Sequence, residues 1–330
     1  MTSLELSHDQ LVPIMGFEMN YGRRTYQGYT AGQRGAIDQA LNSGYRQFLF
    51  PEPMGGRGRH RWSFLWPESS LPLSKPQTSS TVTIDSGVVT IAAGTWPSWA
   101  AQGELTPTNG DTYAVASRDS DTQLTLDDTS VDEDALTGYS LGRAEYDMPS
   151  DFGGLQGDMT YRPGSNTGYD PIKFTSWNLV RRLRQLHAGS TMRPQKACLL
   201  AKAADPTAVQ GWKIIFDYQS DDDHKLFYRY KVNIVALDAT NKYAVGGPAH
   251  SETLLASCLY SAARFLNEDA QKIEQARQHF LTRLAASIDE DEALTPDFLG
   301  TMTDPSEDEG QLSRHNSSGV PVTYEGVEYF

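Results

Sequence analysis

The chain has 330 residues and a formal net charge of −14, with 38% hydrophobic and 21% charged residues. This length allows one large domain or two smaller ones around a sizeable core. No stretch approaches the roughly 20 apolar residues of a membrane span, and the N-terminus lacks the basic and apolar parts of a secretory signal. We therefore expect a protein that is made in a cytoplasm and contacts no membrane.

The first fifty residues predict two helices. Asp9 is a candidate cap for a helix through Phe17, and Thr30 is a candidate cap for a helix through Phe50. Apolar residues of the second helix recur at helical spacing: Ile37, Leu41, Tyr45 and Phe48. Pro51 ends this helix, because proline has no amide donor and clashes with the preceding turn.

The middle of the chain predicts β-structure. The aromatic stretch 62–65 predicts the start of a strand, and residues 78–142 predict five or six short strands separated by turn signals such as Asn109-Gly110. Helical segments flank this region, so we interpret it as an inserted small β-barrel or β-sandwich. Its loop with Trp96 and Trp99 either packs against the β-domain or forms an exposed contact patch or sugar-stacking platform.

The next segment predicts a short helix and a β-hairpin. Thr175 or Ser176 caps the helix, which carries Trp177 and Leu183 at helical spacing. Residues 212–218 and 225–232 then predict the two antiparallel strands of the hairpin. The second strand alternates well, which gives it one apolar face: Leu226, Tyr228, Tyr230 and Val232.

The C-terminal part predicts one long helix and an arm. The helix runs from Glu252 to Ile288, with a break expected, if anywhere, at 267–269. After Ile288 the chain carries eleven Asp or Glu residues and one Arg, which predicts an extended acidic arm. Its less polar end is a candidate for strand addition to a neighbour, through Val322, Tyr324, Tyr329 and Phe330.

These elements predict an α+β fold: a helical core with a long C-terminal helix, a β-hairpin, an inserted β-domain and an acidic arm. The expected divisions are the first part of the core at 1–77, the β-domain at 78–142, the second part of the core at 143–288 and the arm at 289–330.

No motif predicts chemistry, so we expect no catalytic residue, cofactor or metal. The chain lacks phosphate-binding glycine loops, zinc spacings and a nucleophile elbow. His250-Ser251-Glu252 is better interpreted as a helix start than as a triad, and Asp221-Asp222-Asp223-His224 as a turn rather than a cation site. Cys198 and Cys258 lie in apolar contexts and predict buried, reduced thiols.

Two basic clusters are candidate interfaces. Their positive side chains either contact acidic surfaces of other subunits, remain solvated, or contact DNA phosphates. The clusters are Arg57, Arg59 and Arg61 in a glycine-rich loop, and Arg181, Arg182 and Arg184 in the short helix.

An ordered set of segments resembles one family, the head-to-tail connector (adaptor) proteins of tailed bacteriophages. The resemblance spans roughly residues 10–290 and rests on these segments: Ile37 to Pro51, Arg61 to Pro67, the threonine-rich insertion ending in Leu124-Thr125-Leu126-Asp127, Tyr146 to Phe152, and Gly246 to Glu252.

This resemblance implies a structural virion protein and not an enzyme. Such proteins have a helical core with a β-insertion, and they usually assemble as a twelve-subunit ring between the portal and the tail or its nozzle and stopper proteins. The ring extends the channel for double-stranded DNA in the virion neck, and the C-terminal segment often reaches into the portal. The alternatives are a hexameric stopper, a tail terminator or a tail-tube component, and more remotely a carbohydrate-binding virion protein.

Overall fold

The computed structural model describes residues 4–53, 59–78, 80–107, 111–136, 138–162, 170–203, 207 and 209–294, and the backbone of residues 322–324 and 327–329. These parts form a mixed α+β fold with five α-helices and a curled, half-barrel sheet. The helices are α1 His8–Glu18, α2 Ala31–Leu49, α3 Trp177–Leu186, α4 Ser251–Phe265 and α5 Ala270–Leu294. No helix among the described residues has the length and apolar character that crossing a bilayer requires.

The predicted start and end signals of α2 are both found in the structure. Thr30 is its N-cap, and the Thr30 hydroxyl accepts a hydrogen bond from the Gln33 amide in a capping box. The helix ends at Leu49, next to the predicted stop at Pro51. In α1, however, the N-cap is Ser7 and not Asp9.

The predicted long C-terminal helix is two helices. The helix is interrupted between Phe265 and Ala270. Asn267 there adopts a left-handed φ of 52°, which is incompatible with a right-handed α-helix. The break lies within the segment in which the sequence allowed one. Helix α5 then continues to Leu294, so the predicted start of the arm at residue 289 is too early.

Seven strands form the curled sheet, in the order β7-β2-β3-β6-β5-β4-β8. They are β2 Val82–Asp85, β3 Val88–Ile91, β4 Glu104–Pro107, β5 Tyr113–Arg118, β6 Gln123–Leu126, β7 Glu133–Leu136 and β8 Tyr139–Gly142. Their alternating residues enclose a core of their own. We call this sheet the β-module; it is one half-barrel rather than the two sheets of a sandwich.

The chain enters and leaves the β-module side by side. The Gln77 amide donates to the Leu141 carbonyl at 2.8 Å, and the Leu141 amide donates to the Gln77 carbonyl at 2.9 Å. The segment that enters the module is therefore paired with β8, its last strand, as in an antiparallel sheet.

Two further sheets share a second core. One has the order β1-β14-β10, and the other has the order β11-β12-β13-β9. Their strands are β1 Glu68–Pro72, β9 Glu145–Asp147, β10 Phe152–Tyr161, β11 Lys173–Phe174, β12 Lys196–Ala201, β13 Trp212–Phe216 and β14 Lys225–Val232. A separate hairpin pairs β15 Val322–Tyr324 with β16 Val327–Tyr329.

The predicted hairpin between β13 and β14 is wrong. These strands lie in different sheets, because β13 pairs with β9 and β12 while β14 pairs with β1 and β10. The predicted faces of β14 are nevertheless confirmed, since Leu226, Tyr228 and Tyr230 are buried. The predicted strand at residues 62–65 is also wrong, because Ser63–Leu65 forms a single 3-10 turn before β1.

The helices enclose the third core. Helices α2 and α5 both pack against α4, and α1 covers α2 and α4. Gly44 of α2 meets the backbone of α4, where the Ser257 hydroxyl donates to the Gly44 carbonyl at 2.7 Å. Cys198 and Cys258 are buried free thiols, as predicted. Burial raises the pKa of Cys258 to about 12, which keeps its thiol protonated and unreactive.

Candidate interaction surface

Arg184, a predicted interface residue, forms ion pairs within its own chain. Its guanidinium contacts Glu104 of the β-module and also Glu145 of β9, the latter at 3.3 Å. Lys213 lies 2.7 Å from the same Glu145 carboxylate. These groups are partly buried, and together they join α3, the β-module and the β9 sheet. An intermolecular role for Arg184 is therefore corrected to an internal ion-pair network.

The other two arginines of α3 do face solvent. Only Val180 of this helix is buried, and it packs against Cys198 and Ile215. The solvent face presents basic and apolar groups without any acidic residue. We call it the α3 surface, and it consists of Leu179, Arg181, Arg182 and Leu186. Leu179 and Leu186 are 39% and 67% exposed, and together with the two arginines they make this surface a candidate contact.

The predicted basic loop is anchored at its C-terminal end. Arg59 and Arg61 are exposed, while Arg57 lies outside the described residues. His60 between them is largely buried, and its Nε2 lies 2.9 Å from a carboxylate oxygen of Asp291. Asp291 thus connects this loop to the last turn of α5.

Asp291 is 2% exposed and accepts two further hydrogen bonds. The Ser63 amide donates to it at 3.0 Å, and the Ser63 hydroxyl donates at 2.5 Å. A serine, a histidine and an aspartate thus meet, but the aspartate lies between the other two. A nucleophilic triad needs the histidine in the middle, so this arrangement does not activate the serine.

His250 is the second buried histidine of this region. It is 3% exposed and lies among the rings of Phe48, Trp62 and Phe64. Burial lowers its pKa, and the negative charges of Asp291 and Glu290 oppose that shift. A neutral imidazole in an aromatic cluster supports packing and not catalysis. Among the described residues, no group of three His, Cys, Asp or Glu side chains is arranged to hold a metal ion.

The acidic turn at residues 221–224 has local partners. His224 Nε2 lies 3.0 Å from Asp221, and Asp223 accepts from the Lys75 amide at 2.9 Å. These contacts hold the connection between β13 and β14 against the segment after β1.

The two tryptophans of the β-module have different environments. Trp96 is 1% exposed and packs edge-on against Tyr139, with ring centroids 5.9 Å apart. It is a core residue, so the prediction that it forms part of an interface is corrected. Trp99 is only partly buried, and the Arg143 guanidinium lies 5.2 Å from its ring centroid. Only Trp99 remains available for an external contact.

Three helices also form a basic groove for which the sequence contains no motif. It lies between α2 and α5, with α4 beneath, and has a volume of about 350 Å³. We call it the arginine groove, and its main lining residues are Arg46, Phe50, Tyr260, Arg264, Arg277 and Phe280. One acidic residue, Glu52, lies at its rim.

The groove combines stacked rings with available positive charge. Tyr260 and Phe280 stack at 6.2 Å with an angle of 15°, and the Arg264 guanidinium lies 5.7 Å from the Tyr260 ring centroid. Arg277 is held by the Glu274 carboxylate at 2.9 and 3.1 Å. Arg46 and Arg264 form no ion pair within the described part of the chain. Helical spacing could have placed Arg46 on a different side of α2 from Leu41, and no other signal in the sequence points to this groove.

The predicted residues of the C-terminal arm are described only as backbone. Val322 and Tyr324 lie in β15, and Tyr329 lies in β16. Phe330 and most of the arm lie outside the described residues.

The chain matches no protein-family model and no curated protein.

Proposed function

We propose that this protein is a subunit of a head-to-tail adaptor ring in the neck of a tailed bacteriophage. Twelve subunits form the ring, which docks beneath the portal, extends the channel for double-stranded DNA and presents a surface to the tail proteins. DNA passes through the lumen without sequence-specific binding. The subunit carries no enzymatic activity.

The order and division of the fold carry this proposal. Helices α1 and α2 come first, the β-module follows, and the two central sheets and the helices α4 and α5 complete the chain. The resemblance of the sequence to adaptor proteins implies the same order of a helical core with a β-insertion. The Arg184 network joins the β-module to α3 and to the sheet that contains β9.

The use of polar side chains supports a structural role. Arg184, Asp291 and Ser257 connect elements of the same chain. The exposed α3 surface and the pair Arg59 and Arg61 remain for contacts between subunits or with the portal. Basic and apolar groups suit such contacts, since arginine is enriched in protein interfaces.

The burial of Trp96 weakens the carbohydrate-binding alternative. A sugar platform commonly uses aromatic faces that are open to solvent, and one of the two candidate rings is inside the β-module core.

Imaging the purified full chain by negative-stain electron microscopy tests the proposal, both alone and mixed with portal rings from the same genome. A twelve-fold ring added beneath the portal is the expected result. Six-fold rings that do not bind the portal would instead favour a stopper, terminator or tube component. Monomers in both samples would contradict a ring-forming function.

A charge-reversal pair sharpens this test. Arg181→Glu with Arg182→Glu should reduce ring formation or portal docking, because it inverts the charge of the α3 surface. Arg283→Glu is the matched control, since it reverses an exposed arginine on α5 outside that surface. Equal loss in both variants would show that net charge, and not the α3 surface, is responsible.

A further inference from the structure

The hairpin β15–β16 has one apolar face. Its register pairs Val322 with Tyr329 and Tyr324 with Val327, so these four residues lie on the same face, while Thr323 and Glu328 lie on the other. A two-stranded hairpin is marginally stable by itself in water. A hairpin with a single apolar face therefore needs a surface that covers this face.

The arginine groove has the matching chemistry. Its stacked Tyr260 and Phe280 rings offer an apolar floor, and the Arg46 and Arg264 guanidinium groups are not held by carboxylates in the described residues. The segment from 295 to 330 contains seven acidic residues and one arginine. The negative charge and the tyrosines of this segment thus complement the positive charge and the aromatic lining of the groove.

The length of the connecting segment fits docking within one chain. Measured along α5 at about 1.5 Å per residue, Leu294 lies about 15 Å from Leu284 and about 26 Å from Arg277, both of which line the groove. Residues 295–321 connect Leu294 to β15. At about 3.3 Å per residue, a stretch of this length reaches at most about 90 Å. The connection is therefore long enough for β15 and β16 to reach the groove of the same chain.

We propose that the arginine groove binds residues 322–330 of the same chain. The apolar face of the hairpin covers the Tyr260 and Phe280 rings, and Glu325, which lies between the two strands in sequence, is drawn to Arg46 and Arg264. The groove is thereby an intramolecular docking site for an acidic, aromatic β-hairpin. This inference does not depend on the proposed ring function, since it concerns the isolated chain.

Site-specific photo-cross-linking of the full chain tests the proposal. The photoreactive residue p-benzoylphenylalanine replaces Phe50, which is 38% exposed and lines the groove. Mass spectrometry of the irradiated monomer should find cross-links to peptides from residues 320–330. The matched control places the same probe at Phe17, which is 57% exposed on α1 and, like Phe50, has a cationic side chain over its ring. It should give no such cross-link.

Charge variants then test the specificity of the contact. Arg46→Glu with Arg264→Glu should abolish the cross-link from position 50, and adding Glu325→Lys should restore it. The control Arg181→Glu with Arg182→Glu should leave it unchanged. Circular dichroism checks that each variant is folded, and a second probe at Gln47 serves if the substitution at Phe50 unfolds the chain.

Two outcomes would overturn the proposal. Cross-links that appear in a dimer band and increase with protein concentration would mean that the groove takes the segment of a second copy. A folded protein with no cross-link from position 50 or 47 to residues 320–330 would mean that the segment does not occupy the groove. Neither outcome bears on ring formation beneath a portal, which imaging tests separately.

Discussion

The two sides of α2 are built in contrasting ways. On one side, Gly44 lies against the backbone of α4, and Ile37, Leu41 and Phe48 are buried. On the other side, Arg46 and Phe50 line an open groove towards α5. The first side is completed by the chain's own helices, whereas the second presents charges and rings that the described elements do not cover.

This difference suggests that the closed side of α2 contributes to folding stability, whereas the open side is suited to binding. The closed side uses small residues and buried hydroxyls, which let the helix backbones approach and satisfy their polar groups. The open side keeps long, charged side chains that contribute little to folding but can recognise a partner segment.

The largest expected effect is on the closed side, at Gly44. A Cβ atom there would lie 2.5 Å from Cys258 Cα and 2.7 Å from Cys258 N, so α2 and α4 must separate. We expect Gly44→Ala to lower the free energy of unfolding by about 2–3 kcal/mol, measured by urea denaturation.

Gly35→Ala is the control in the same helix. Nothing lies within 4 Å of a Cβ at Gly35, so alanine should leave the stability unchanged or raise it by about 0.5–1 kcal/mol through helix propensity. Similar losses at both positions would show that the close approach at Gly44 is not what matters.

The second expected effect is at Asp291, in the last turn of α5. Asp291→Ala leaves the Ser63 amide and hydroxyl without their acceptor, and removes the partner of His60. We expect the free energy of unfolding to fall by about 1–3 kcal/mol. The exposed Asp289 of the same helix, changed to Ala, should have little effect; a comparable loss there would point to helix charge rather than to these hydrogen bonds.

A smaller effect should depend on pH. Burial lowers the pKa of His250, so the unfolded chain binds a proton at a higher pH than the folded chain. The stability contributed by the neutral imidazole is present above about pH 6.5 and is lost as the pH falls towards the lowered folded-state pKa.

His250→Gln removes this titration. Urea denaturation between pH 7.5 and 5 should show a weaker loss of stability in the variant, by no more than about 1.4 kcal/mol per pH unit. Parallel profiles for the two proteins would mean that His250 does not titrate differently on folding.

The smallest effect should be on the open side. Arg46→Ala removes a groove residue only two positions from Gly44, yet we expect the free energy of unfolding to change by less than about 0.5 kcal/mol. A large loss in the same denaturation experiment would mean that the groove is part of the folding core, and the contrast between the two sides would disappear.

Local signals predicted the elements well where the chain is regular. The Thr30 cap, the stop at Pro51 and the spacing of Ile37 and Leu41 located α2, because a helix is specified by residues that are close in sequence. The alternation of β14 likewise identified its buried face.

Pairing between strands could not be predicted in the same way. Strands β13 and β14 are neighbours in sequence, but β14 pairs instead with β10. The glycines of β10 interrupt the alternation of apolar and polar residues by which a strand is recognised in a sequence. In β10, Gly154 and Gly157 adopt positive φ values of 149° and 70° at irregularities of the ladder, where alternation fails.

The candidate site was predictable only in part. Composition identified the exposed arginines of α3, but it could not show that Arg184 turns inward to Glu104 and Glu145, which are distant in sequence. The arginine groove could not be predicted for the same reason, since its three arginines come from three separate helices.

The backbone pairing of Gln77 with Leu141 places the two ends of the β-module side by side, so the module can be replaced as a unit. Because its two ends are adjacent, a short turn can replace it without stretching the rest of the chain, and an unrelated domain with neighbouring termini can be grafted at the same place. Such a junction lets the β-module diversify, by recombination or by design, while the rest of the chain keeps its sequence.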